Sequence, residues 1–83
     1  MANDTTPRDA REKTFAESLA DGAKVKPGQP VVFMKDEHPY VVVKFYATRE
    51  DFIRGTVTQD IGWTTRAKAT RFAKQVGAKV VAF

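Results

Sequence analysis

The sequence predicts a small α+β domain. It combines a single sheet of three to five strands, mixed or mostly antiparallel, with a C-terminal helix on one face and an N-terminal helix. Three observations predict it. Two strand-rich runs, Val31-Val32-Phe33-Met34 and Tyr40 to Tyr46, flank the turn-like Lys35-Asp36-Glu37-His38-Pro39. Ala69, Phe72, Ala73 and Val76 fall at the i, i+3, i+4, i+7 spacing of one buried helix face. After Gly77, Lys79-Val80-Val81-Ala82-Phe83 reads as a further strand, so the chain closes on a strand–helix–strand unit that returns to the same sheet.

Taken in order, residues 1–6 read as a flexible N-terminus. Thr6-Pro7-Arg8-Asp9 then reads as a helix start, with Thr6 as cap, Pro7 at the first helical position and Asp9 near the positive end of the dipole. Gly22 is the expected stop. The resulting helix, 7–21, has a thin apolar stripe of Phe15 and Leu19 flanked by Ala16 and Ala20, and at such a length it must dock or fray. Residues 22–30 (GAKVKPGQP) read as a linker by their Gly and Pro content, leaving 31–83 as the α+β domain.

Within Tyr40–Tyr46 the period of two sorts the side chains. Val41, Val43, Phe45 and Ala47 share one wholly apolar face, which is assigned to the core, and Tyr40, Val42, Lys44 and Tyr46 share the other. Thr48-Arg49-Glu50-Asp51 repeats the cap-then-acid pattern and predicts one or two helical turns over 49–54. Thr56-Val57-Thr58 and Ile61-Gly62-Trp63-Thr64 are strand-like, either as one bent strand or as a tight hairpin around Gln59-Asp60. Thr64 or Thr65 caps the last helix, and Gly77 ends it.

Composition narrows the function classes. A chain of 83 residues is one domain with a small core. It has no Cys and a single His, His38, which excludes disulfides, thiolate metal sites and a His-rich zinc site within the chain. No metal and no cofactor are therefore expected, and oligomerisation is the remaining means of support for so small a core. Residues 1–7 carry an acid and no apolar run, which argues against a signal peptide. Apolar runs such as Tyr40–Val43 fall far short of the roughly 20 residues that span a bilayer. The expected setting is cytoplasmic, with no membrane partner.

The net charge of +4 resides in the last third. From Ile61 to Phe83 the chain has Arg66, Lys68, Arg71, Lys74 and Lys79 but no acid, whereas the first two thirds are nearly balanced. A one-signed surface favours an anionic partner. On the helix, Arg71 and Lys74 fall opposite the apolar stripe, while Thr64, Thr65, Arg66 and Lys68 gather at its start. There, first-turn amides are free and two cations oppose the dipole, which is the arrangement of a phosphate seat. Against it stands the commoner role of such charges as a solvated face, which is favoured here.

Two further sets carry functional readings. Tyr40, Val42, Lys44 and Tyr46 place two aromatic rings and a cation on one sheet face. That combination suits a protein interface and also the stacking platforms that bind single strands. The competing reading lays the N-terminal helix over this face, with Phe15 and Leu19 against Val42 and Tyr46. Trp63 can stack on a base or a guanidinium, but the scarcity of large residues makes it an expected core residue. Asp36, Glu37 and His38 are the one place where acids meet the histidine, yet they sit in a turn where such residues are expected, and adjacent turn residues point apart. There is no phosphate-binding loop, nucleophile elbow or zinc motif. The sequence thus predicts a non-enzymatic binding module for a macromolecule. A protein partner or second copy is favoured, and DNA or RNA held by Arg66, Lys68, Arg71 and Lys74 is the alternative.

Overall fold

A computed structural model describes residues 13–83. Its elements in chain order are α1 (Phe15–Gly22), β1 (Val31–Glu37), β2 (Tyr40–Tyr46), α2 (Arg49–Arg54), β3 (Gln59–Thr64), α3 (Arg66–Val76) and β4 (Lys79–Ala82). The four strands form one mixed sheet in the order β3-β2-β1-β4. β1 is antiparallel to β2, β2 is antiparallel to β3, and β4 is parallel to β1. α3 therefore joins the two edge strands, which run in the same direction. This is the expected single-sheet α+β fold.

The face under α3 is the drier one. Val32 and Met34 of β1, Val41 and Val43 of β2, and Ala69 and Ala73 of α3 are buried together. Phe45, Ile61, Phe72, Val76 and Val80 close their edges. The helical stripe read from the sequence is thus the contact surface. Two alanines at its centre bring α3 close to the sheet, and Phe72 meets Phe45 edge-on at 5.6 Å. Ala47 departs from the expected core face, because it lies past the end of β2 and is exposed. The helix is capped at both ends: Thr65 Oγ1 accepts from the Lys68 amide at 3.2 Å, and Gly77 (φ 67°) terminates it.

The second face is covered at one end by α1 and α2. Ala20, Val25, Val31, Tyr46, Phe52 and Val81 are buried there, with Leu19, Phe33 and Ile53 packed against them. α2 is held between Thr48, whose hydroxyl accepts from the Asp51 amide at 3.1 Å, and Gly55 (φ 80°). α1 begins later than the sequence expects. Lys13 and Thr14 are not helical, and Thr14 forms a capping box with Glu17, each receiving the other's amide. The expected start at Thr6-Pro7 lies outside the described residues. Residues 23–30 are tied down: Val25 is buried, and the Gly28 amide donates to Glu50 of α2 at 3.1 Å. Asp21 of α1 pairs with Lys13, just before that helix, and joins α1 to α2 through Arg49, at 2.8 Å.

β3 resolves the ambiguity over residues 56–64. Thr56–Thr58 are outside any strand, and Gln59–Thr64 form one strand with a bulge. Val43 faces Gly62 and Lys44 faces Asp60, so Ile61 is the extra residue. Gly62 supplies the positive φ of 85° at this point.

Candidate interaction face

Because β1–β4 pair in register, side chains can be followed across the second face in rows. One row runs Trp63–Val42–Lys35, and Phe83 continues it on the far edge. There the Phe83 amide donates to Met34 at 2.8 Å, and its carbonyl accepts from Asp36 at 3.2 Å. The next row toward α2 is Asp60–Lys44–Phe33–Val81, and the one beyond the first is Tyr40–Glu37. α1 and α2 cover the Tyr46 end and leave the Trp63 and Tyr40 rows open.

The open rows expose large apolar surface. Trp63 is 66% exposed, Phe83 58% and Tyr40 48%. Phe15 at the start of α1 is 63% exposed and meets Phe83 edge-on at 5.3 Å. From Phe83 the rings continue inward to Phe33 at 6.5 Å, Phe52 at 5.9 Å from Phe33, and Tyr46 at 5.1 Å from Phe52. The aromatic chain thus begins in the second core and surfaces on the open half.

The set read from the sequence divides accordingly. Tyr40 is exposed and Val42 and Lys44 are half-buried on the second face, but Tyr46 is buried beneath Phe52. Burial pushes the Tyr46 phenol above its ordinary pKa, and the nearby Asp60 charge adds to the rise. Tyr46 therefore belongs to the core, not to an accessible face. Trp63 is the opposite correction, since it was expected in the core and stands in solvent. The cover also differs from the expected one: Leu19 packs into the cluster around Tyr46, but Phe15 packs on Phe83 instead of Val42 or Tyr46. Phe15, Phe83 and Lys35 were absent from the sequence-derived set. The register of the β1–β2 hairpin, which sets Lys35 opposite Val42, could have found Lys35, whereas Phe83 depends on the parallel pairing of β4 with β1, which sequence alone does not specify.

The charges on this face are mixed. Lys35 and Lys44 are matched by Glu37 and Asp60, and Lys35 lies 3.6 Å from Glu37. Of the cations of the last third, Lys79 lies on this side of the sheet, opposite Val31 at the end that α1 and α2 cover, and those of α3 lie elsewhere. Arg71 and Lys74 are exposed on α3, across the sheet from Trp63. Arg66 stands 3.7 Å from Asp36, which gives one of the two start-of-helix cations an anionic neighbour. Thr65 already occupies one first-turn amide, and Thr64 and Lys68 line a half-open cleft of about 250 Å³ with Val43, Gln59, Ile61, Ala69 and Phe72. That volume is below the roughly 300–1,000 Å³ of small-molecule sites.

Asp36, Glu37 and His38 do not converge. Asp36 lies on the α3 side toward Arg66, Glu37 lies on the opposite face beside Lys35, and His38 is exposed in the turn. Among the described residues, no cluster of three or more His, Cys, Asp or Glu side chains is placed to hold a metal, and no helix is long and apolar enough to cross a membrane. No family model, curated protein or solved structure matches this chain.

Proposed function

We propose that this protein is a non-enzymatic binding module that recognises a protein partner through the open half of its second sheet face. The observation that supports this reading most is Trp63, the single Trp of the chain, exposed at 66% in a row with Val42 and Phe83 and beside Tyr40. Holding an indole in water forgoes about 1.5–3 kcal/mol of the burial free energy typical of a large apolar side chain. Contiguous apolar patches of this kind mark interaction sites, and Trp and Tyr dominate interface energetics.

The charge pattern favours a protein over a nucleic acid. A single-strand platform needs cations that track the backbone beside its stacking rings. Here the rings lie among as many acids as bases, and the exposed cations Arg71 and Lys74 are on the other side of the sheet. The alternative that those cations favour is a phosphate-binding surface of Arg66, Lys68, Arg71 and Lys74 on α3. It would act without the aromatic face.

Titration with random-sequence oligonucleotides, single- and double-stranded, distinguishes the two readings. Trp63 emission and electrophoretic mobility are followed across a salt series. The protein-binding reading expects no saturable binding at moderate salt and no quenching of Trp63. Duplex binding with a log–log salt slope of about −3 to −4, the value for four phosphate contacts, would overturn it in favour of the α3 surface.

A further inference from the structure

We infer that the partner of the open face is a second copy of this chain, packed face to face about a two-fold axis. The inference rests on the reading of that face as a protein-binding surface and specifies its occupant. Three features carry it: area, charge and the size of the domain.

Trp63, Tyr40, Phe15 and Phe83 are each about half to two thirds exposed. Aromatic side chains of about 150–250 Å² then present roughly 450 Å² of ring surface. A stable interface takes about 800 Å² from each partner. The exposed rings thus supply roughly half of that area, and Val42, the stem of Lys35 and the polar rim around them are the surface that would supply the rest. Its aromatic centre and charged rim also follow the anatomy of such interfaces.

The charges are self-complementary. An isologous interface sets one patch against itself, so any excess of one sign is repelled by its own copy. On this face Lys35 and Lys44 balance Glu37 and Asp60, whereas the chain as a whole carries +4. Lys79 also lies on this side of the sheet, but at the end that α1 and α2 cover, so the open rows that would meet their own copy are balanced. An acidic or a basic partner would instead select a face of one sign.

The domain also has few other means of support. It has no disulfide, and its two buried clusters are formed mainly by Val and Ala, with Met34, Tyr46 and Phe52 as the large members. Burying Trp63 and Phe83 between copies would extend the second cluster outward through Phe33, which packs against the cluster and stacks on Phe83.

The test is sedimentation equilibrium from low-micromolar to near-millimolar protein, with Trp63 emission read in parallel. The native chain is expected to rise toward twice its monomer mass, with Trp63 emission shifting to the blue over the same range. Lys35→Glu turns the face acidic and Asp60→Lys turns it basic; both positions are exposed, so both variants should fold. Each alone is expected to weaken self-association by about tenfold or more, and an equimolar mixture of the two to restore it. A monomer at every concentration would overturn the inference. So would a dimer that is indifferent to these charges and to Trp63→Ala, because another surface would then hold it. Neither result alters the oligonucleotide titration, which tests the protein-binding reading separately.

Discussion

Trp63 and Tyr46 exchange the places that their chemistry suggests. Tyr46 has the polar tip, yet Phe52 and the second core cluster bury it, and Trp63, the larger ring, is left in water. Each position follows from a neighbour, not from the residue itself. Tyr46 sits opposite Val31 at the end of β2 where α2 folds back, whereas Trp63 sits opposite Val42, which neither α1 nor α2 covers. Asp21 shows the same dependence on neighbours. Lys13 and Arg49 hydrogen-bond its carboxylate and hold its pKa below the usual Asp value. The unfolded chain then takes up that proton at higher pH than the folded one. The contribution of Asp21 to stability is therefore whole above the ordinary carboxylate range and drains away as pH falls through it. Denaturation midpoints of the native chain and Asp21→Asn should differ near neutral pH, and the gap should close in acid. Because the site is exposed, salt should narrow it as well.

Among the elements, β3 decides what the protein shows to its surroundings. In an unbroken strand Ile61 and Trp63 would share a face, and Ile61 is packed under α3. The bulge places Ile61 and Gly62 together against Val43, so Trp63 turns to the open side. The exposure of Trp63 was illegible in the sequence for this reason. Period-two reading carries it into the core with Ile61, and nothing but an isolated glycine marks the shift. α2 and α3 were legible because their signals are local: Thr48 and Gly55 bound α2, and Thr65, the Ala69/Phe72/Ala73/Val76 stripe and Gly77 specify α3, whereas a start at Thr6 misses the Thr14–Glu17 capping box that begins α1. The parallel alignment of β4 was not, since strand order depends on contacts far apart in the chain. Gly62→Ala tests the bulge. A Cβ there meets nothing within 4 Å, so the cost is conformational and arises from φ 85°. The variant should lose about 1–2 kcal/mol in equilibrium denaturation, and its Trp63 emission should change if the strand straightens to relieve the strain.

At the scale of the whole molecule the two faces of the sheet have different roles. One is sealed by α3, and the other is sealed at the Tyr46 end and open at the Trp63 end. Most of the basic last third, the most conspicuous feature of the sequence, ends up on the sealed side, where Arg71 and Lys74 coat the outer surface of α3 and Arg66 faces Asp36, while Lys79 sits opposite Val31 on the other face. The partner-binding reading depends on the open half being water-facing in the isolated chain. Acrylamide quenching of Trp63 at the lowest workable protein concentration measures this directly, because no other Trp contributes. The expected result is red-shifted emission with efficient quenching, as for an indole in water. Blue-shifted emission that acrylamide cannot reach in the monomer would contradict the account, placing Trp63 in a core and leaving the sheet without an open aromatic face.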